Sequence, residues 1–212
     1  SACPIIESQT RYWVYVVADD TDGNIQTTPK RLAVETTDIT PPIFEDGTPK
    51  VVGNTPTVHA FQPNNGGVTL TVTTELDEPG RAYYLVALAT AAPPTAEQVR
   101  TCGATRDGNM RTTKGFTYTP SDGSAAVEPY VCGNKAILVA HTLYTVDLEA
   151  VPAEKTVRVY VVADDYEDMR PSFSGLLLQP PVSNLQLAPV YVEVETADIS
   201  APSFVSVSNV AY

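Results

Sequence analysis

Histidine is scarce in this sequence, which holds only His59 and His141. Neither histidine has a cysteine, a second histidine or a glutamate nearby at the spacing that a metal site requires. The chain also lacks the Gly-x-Ser-x-Gly pattern of a hydrolase nucleophile, and it has no glycine-rich phosphate loop. We therefore expect no catalytic residue, no enzymatic activity and no resident cofactor.

Basic residues and long apolar runs are also in short supply. The chain has 13 Lys and Arg against 25 Asp and Glu, for a formal net charge of −12. Such a surface repels phosphate backbones and anionic lipid headgroups. No apolar stretch approaches the roughly 20 residues that a membrane-spanning helix needs. We expect no nucleic-acid partner and no membrane insertion.

Only three cysteines are present, and two of them share a context. Cys102 and Cys132 each precede a glycine and flank a stretch rich in Gly and Thr. We predict a Cys102–Cys132 disulfide that contributes roughly 3 kcal/mol; the alternative is a pair of buried free thiols. Cys3 is then expected to be a free thiol or to form a disulfide bond with another chain. The sequence has no Asn-x-Ser/Thr acceptor for N-linked glycans, whereas its abundant Thr, Ser and Pro would allow O-linked glycans.

The residues that are abundant favour β-structure. Val, Thr and Tyr prefer the pleated surface of a sheet, whereas the 18 prolines and 12 glycines leave little room for long helices. We predict an all-β fold with about nine to eleven strands. Strands are expected at residues 68–73, 82–88 and 136–140, and one helical turn capped by Thr95 at residues 94–99.

The strongest signal is an internal repeat. The run VYVVADD at residues 14–20 returns at residues 159–165, and VETTDITPPIF at residues 34–44 returns as VETADISAPSF at residues 194–204. The first offset is 145 residues (159 − 14) and the second is 160 (194 − 34), so the second copy has 15 more residues between its two blocks. Each pair of blocks is typical of a β-hairpin.

These motifs resemble a known family. The pattern Tyr-x-Val-Tyr-Val-Val-Ala-Asp-Asp, followed by Gly-Asn-x-Gln and by Thr-x-Asp-x-Thr-Pro-Pro-x-Phe, is similar to fibronectin type III and immunoglobulin-like repeats of large extracellular eukaryotic proteins. This variant of the repeat resembles those of algal and protist surface proteins, including mastigoneme-type filament subunits. The resemblance covers most of the chain except about residues 103–135 and 166–190. The second copy lacks the Gly-Asn of the turn. The resemblance implies an immunoglobulin-like β-sandwich and an extracellular location.

The phase of the repeat suggests three segments. Residues 38–198 are expected to form one complete sandwich, with insertions at about 102–132 and 166–190. Residues 1–37 would be the closing hairpin of a partial unit, and residues 199–212 the opening strand of a further unit that pairs with a neighbouring copy.

A lone hairpin leaves an apolar face and open edges, which favour strand addition between copies. We therefore hypothesise a structural subunit of an extracellular filament that assembles head to tail. The hairpin would use either the side chains of Tyr12, Val14 and Val16 or those of the opposite face. The predicted interface residues are Trp13, Tyr15, Val17, Phe204, Val205, Val207 and Val210.

The alternative function is an excerpt of a tandem-repeat cell-surface adhesin or a carbohydrate-binding module. The candidate stacking residues for sugar are Tyr83, Tyr84, Tyr118, Tyr130 and Tyr144. A second alternative concerns calcium, because Asp20, Asp22 and Asn24 resemble a calcium loop. The loop lacks the closing bidentate glutamate, and the same residue types are those that a hairpin turn demands.

Overall fold

The structure is a computed structural model of the chain, and it describes residues 10–36, 38–56, 67–104, 111–112, 116–165 and 184–199. The chain divides into two compact units, Ser1–Thr40 and Pro41–Tyr212. Each unit is described by itself. The following predicted site residues lie outside the described residues: Cys3, Phe204, Val205, Val207 and Val210.

The first unit contains an antiparallel hairpin of two strands, β1 (Arg11–Val16) and β2 (Lys30–Glu35). Alternating Tyr, Trp and Val residues give β1 its extended conformation, because large β-branched and aromatic side chains fit a pleated strand. A tight turn closes one end, where the Gly23 N–H donates to the Asp20 carbonyl and Gly23 adopts a φ of 83°. Only glycine takes this conformation without steric cost.

The second unit contains two antiparallel sheets. One has three strands in the order β3-β4-β8, and the other has five in the order β10-β9-β5-β7-β6. The strand bounds are β3 (Lys50–Pro56), β4 (Gly67–Thr74), β5 (Gly80–Leu88), β6 (Arg111–Thr112), β7 (Val131–Ile137), β8 (Tyr144–Pro152), β9 (Thr156–Asp164) and β10 (Val190–Glu195).

The two sheets face each other across one apolar core. Alternate residues of β4 and β8 pack with alternate residues of β5, β7 and β9 in a single buried cluster. One polar pair crosses this core, since the Thr74 hydroxyl and the Tyr84 hydroxyl lie 2.7 Å apart and satisfy each other. The prediction of an all-β fold built from antiparallel sheets is confirmed.

A helix covers the outer face of the five-stranded sheet. Helix α1 (Ala96–Ala104) follows β5 and begins with a reciprocal cap, in which the Thr95 N–H donates to Gln98 and the Gln98 N–H donates to the Thr95 hydroxyl. Val99 packs into a second buried cluster with Leu85 and Val162. The prediction of a single helical turn was therefore too short. No described helix is long and apolar enough to cross a membrane.

A disulfide fixes this helix to the sheet. Cys102 of α1 and Cys132 of β7 are bonded, with their Cα atoms 5.6 Å apart. The structure thus joins the two cysteines for which the sequence predicts a bond. The strand predicted at residues 136–140 was misplaced, because β7 occupies Val131–Ile137 and residues 138–143 form the connection to β8.

Candidate assembly surface

The internal repeat is a repeat of structure as well as of sequence. When β1 is advanced by 145 residues and β2 by 160, all six of their cross-strand pairs coincide with the six pairs of β9 and β10. The pair Tyr12–Val34, for example, becomes Val157–Val194. The side chains that share a face in one hairpin therefore share a face in the other.

The open ends of the two hairpins are also closed in the same way. The Thr36 N–H donates to the Thr10 carbonyl, and the Thr36 hydroxyl accepts from the Thr10 N–H. Thr196 makes the same two bonds with Lys155. These repeated contacts show that the hairpins are equivalent from end to end.

An Asp–Asn clamp closes the turn end of each hairpin. The Asp20 carboxylate accepts from both the backbone and the side-chain N–H of Asn24, and the Asp165 carboxylate accepts the same two bonds from Asn184. The sequence comparison missed Asn184, because the glycine before Asn24 has no counterpart before Asn184. The signal that could have found it is the Asn-x-Gln spacing, which occurs at residues 24–26 and again at 184–186.

Burial is where the two hairpins differ. Val159 and Val161 of β9 are fully buried against the opposite sheet, whereas their equivalents Val14 and Val16 are 42% and 55% exposed. On the second strand Leu32, the equivalent of a partly buried valine of β10, is 60% exposed. We call the set Tyr12, Val14, Val16, Leu32 and Val34 the inner face of the first hairpin. The inner face therefore carries apolar side chains like those of a sandwich core, but no described residues of the first unit form a second sheet against it.

The opposite face of the first hairpin, called here the outer face, carries the predicted interface residues Trp13, Tyr15 and Val17. All three are exposed in the structure. The guanidinium of Arg31 lies 4.0 Å from the centre of the Trp13 ring, a cation–π contact that partly shields the indole. The second hairpin has the same diagonal pair with the roles exchanged, since Arg158 on β9 lies over Tyr191 on β10.

The β1 edge of the first hairpin has no paired strand among the residues that the structure describes in the first unit. In the second unit β9 pairs on that side with β5, in a register that places Ala82 opposite Ala163 and Val86 opposite Val159. In the part of the first unit that the structure describes, β1 pairs only with β2. Within these described residues β1 is an edge strand beside an exposed apolar face, which is the combination that favours strand addition.

Comparisons with protein-family models, curated proteins and solved structures found no match to this chain.

The proposed calcium loop is accounted for by turn geometry. Both carboxylate oxygens of Asp20 accept hydrogen bonds from within the turn. The bond from the Asn24 side chain, followed by those from the backbone N–H groups of Asn24 and Asp22, lowers the pKa of Asp20 below its ordinary value. Among the described residues no group of three or more His, Cys, Asp or Glu could hold a metal ion. Calcium binding by Asp20, Asp22 and Asn24 stays a prediction.

The tyrosines proposed as a sugar platform lie inside the second unit. Tyr83, Tyr84 and Tyr118 are at most 5% exposed, and Tyr130 and Tyr144 pack against the inter-sheet core. A stacking platform needs an accessible ring face, so Tyr83, Tyr84 and Tyr118 were wrong candidates. Tyr130 and Tyr144 are only partly buried, and their role in sugar binding stays a prediction. O-linked glycosylation is untested and stays a prediction.

Proposed function

We propose that the chain is a structural subunit of an extracellular filament, in which a neighbouring copy covers the exposed hairpin by β-strand addition. One observation carries the proposal. Val14 and Val16 on the inner face of the first hairpin are exposed, whereas their equivalents Val159 and Val161 in the second hairpin, in the same register, are fully buried in a sandwich. Because the first hairpin repeats the register of the second, its inner face is suited to pack against another β-sheet. We infer that the partner which covers it is a sheet like the one that covers the second hairpin.

The strand order supports an immunoglobulin-like sandwich for the second unit. In immunoglobulin notation β3, β4 and β8 take positions A, B and E, while β10, β9, β5 and β7 take positions G, F, C and C′. The first hairpin then takes positions F and G of a partial unit. The resemblance to repeats of surface proteins rests on the motifs described above, and this strand order is consistent with it.

The proposal also covers the location of the chain, its lack of enzymatic function and the geometry of the contact between copies. Disulfides persist in oxidising compartments, so the Cys102–Cys132 bond favours an extracellular location. We propose no enzymatic function, since within the described residues each perturbed acidic or tyrosine group has a structural role in a turn or core. Filament formation between copies of one chain follows when the contact is head to tail and does not close into a ring.

The internal repeat also favours a second candidate, a tandem array of such sandwiches on one polypeptide. In an array the strands that cover the first hairpin belong to the same molecule. The two candidates make the same local contacts and differ only in whether these contacts join separate chains.

Sedimentation velocity and negative-stain imaging of the purified chain test the proposal. We expect concentration-dependent polymers from the full-length chain and a loss of polymers after removal of residues 199–212. A chain that stays monomeric at about 100 μM would contradict the filament. Polymers that persist after removal of the tail would contradict its role in the junction. Far-UV circular dichroism of the truncated chain serves as the folding control.

A further inference from the structure

We propose that the outer face of the first hairpin binds an anionic polysaccharide, a sugar polymer that carries carboxylate or sulfate groups. This site goes beyond the proposed filament and does not depend on it, because it uses only residues of β1 and β2.

Two aromatic rings lie side by side on this face. Trp13 and Tyr15 are two residues apart on β1, so their side chains leave the same side of the strand about 7 Å apart. They are 45% and 61% exposed, and Ala33, which pairs with Trp13 across the hairpin, is too small to cover the indole. Tyr and Trp rings combine an apolar face with a polar edge, and the C–H face of a pyranose packs on such rings. The first hairpin therefore offers an accessible stacking surface for sugar.

Two guanidinium groups lie beside the same indole. That of Arg31 is 4.0 Å from the centre of the Trp13 ring, and that of Arg11 is 5.3 Å from it. Neither arginine forms a salt bridge with any residue that the structure describes. Since a guanidinium binds an oxyanion through two parallel N–H bonds, both arginines are able to bind the charged group of a sugar stacked on the ring.

The second hairpin has the same face in a covered and neutralised form. Tyr160, the equivalent of Tyr15, is 1% exposed because it packs in the cluster beneath α1. Glu193 takes the place of Ala33 and forms a salt bridge with Arg158. The accessible rings and the arginines without a salt bridge are therefore particular to the first hairpin.

The sign of the charge on this face also differs between the hairpins. Six strand positions form the face in each, and the charged residues there are Arg11, Arg31 and Glu35 in the first hairpin and Arg158, Glu193 and Glu195 in the second. The net charge is thus +1 (2 − 1) in the first and −1 (1 − 2) in the second. A positive face on a chain whose net charge is −12 favours an anionic partner.

The acidic turn of the first hairpin is too distant to cancel this attraction. Asp19 follows Trp13 by six residues, about 20 Å of extended strand. Salt screens charges over a Debye length of about 10 Å at 0.1 M, so the nearby arginines dominate at the indole.

Isothermal titration calorimetry of the full-length chain tests the site with four probes. These are an oligogalacturonate, a sulfated galactan oligosaccharide, the neutral methyl ester of the first, and an oligoglutamate of similar length. We expect binding of one or both anionic sugars, which tells carboxylate from sulfate, and none of the ester. Absence of binding to both anionic sugars overturns the inference, as does equal binding of the ester or of the oligoglutamate.

Substitutions locate the site. Arg31→Gln should weaken binding about tenfold or more, which corresponds to ~1.4 kcal/mol for the loss of a hydrogen bond between charged groups. Ala33→Glu should also weaken it, because this change copies the glutamate that neutralises the second hairpin. Arg158→Gln is the matched control, since it changes the net charge by the same amount and should leave the affinity unchanged. Equal affinities of the Arg31→Gln and Arg158→Gln variants would overturn the site, and circular dichroism verifies that each variant is folded.

The outcomes separate this inference from the filament. A monomeric chain that binds the anionic sugars removes the filament and leaves the site. A chain that forms polymers and binds none of the sugars removes the site and leaves the filament.

Discussion

Three tyrosine hydroxyls in the second unit are removed from water and held by specific partners. Tyr83 donates to the Asp164 carboxylate at 3.0 Å, Tyr84 pairs with the Thr74 hydroxyl, and Tyr118 donates to the Ala92 carbonyl at 2.9 Å. Burial raises the pKa of all three hydroxyls, that of Tyr118 to about 12, because a phenolate loses its hydration inside the core. These hydroxyls fasten the sheets and the loop that follows α1.

The raised pKa values of these tyrosines predict alkaline unfolding. The folded state holds its phenol protons at a pH where the unfolded chain loses them, so the stabilisation is complete below about pH 10 and declines as the pH rises above it. Absorbance at 295 nm should show at least these three of the 11 tyrosines ionising late, together with the loss of far-UV circular dichroism. A Tyr118→Phe variant should reduce the late class by one. Eleven tyrosines that ionise together near pH 10 in a folded chain would refute this.

At the scale of elements, the strands with a strong alternating or continuous apolar pattern were predictable and β7 was not. Its sequence contains Gly133 and Asn134, two residue types that are depleted in strands. Tertiary contacts explain their presence: Asn134 donates its side-chain N–H to the Gly103 carbonyl, and Gly133 lies directly beneath Gly103 of α1. A contact between layers outweighs local propensity here, and no pattern within β7 reveals it.

The candidate surface was predictable in part for a related reason. Repetition of short runs identifies both hairpins, since each run specifies a strand and its register. Alternation alone could not choose between the inner and outer faces of β1, because Tyr, Trp and Val occupy both. The choice needs the burial of the second hairpin as a template.

The close approach of α1 to β7 predicts an unusual result for Gly103→Ala. Alanine favours a helix over glycine by about 1 kcal/mol, yet a Cβ at this position would lie 2.6 Å from the Gly133 carbonyl oxygen and 2.9 Å from the Tyr83 ring. We expect a net destabilisation of about 1–3 kcal/mol in urea unfolding. The control is Thr101→Ala on the exposed side of α1, which should change stability by less than about 0.5 kcal/mol. A more stable Gly103→Ala chain would show that the layers are not in tight contact.

At the scale of the whole molecule, two opposing terms should control the assembly that we propose. The net charge of −12 makes copies repel one another, and salt screens this repulsion over a Debye length of about 10 Å at 0.1 M. The exposed apolar face of the first hairpin acts in the opposite sense and does not depend on salt in this way. Assembly should therefore be weakest at low ionic strength, where the apolar contact must overcome the full repulsion.

The two faces of the first hairpin should contribute unequally to that contact. In the second unit the equivalents of Val14 and Val16 face the other sheet, which every sandwich has, whereas the equivalents of Tyr15 and Val17 pack in the cluster beneath helix α1. The double substitution Val14→Ser with Val16→Ser should weaken assembly at least 100-fold, because burying each valine contributes about 1.5–3 kcal/mol.

The matched control is Tyr15→Ser with Val17→Ser, which removes apolar area from the outer face of the same strand and should weaken assembly less than about tenfold. Sedimentation velocity at 0.15 M salt measures both variants, and circular dichroism reports whether the hairpin is retained. The reverse ranking would place the junction on the outer face, with Trp13, Tyr15 and Val17 as its contact residues. The neighbouring copy would then have to supply a helix or similar layer that packs on the outer face, as α1 does in the second unit. The ranking of the two variants therefore also reports which layer of the neighbouring copy contacts the hairpin.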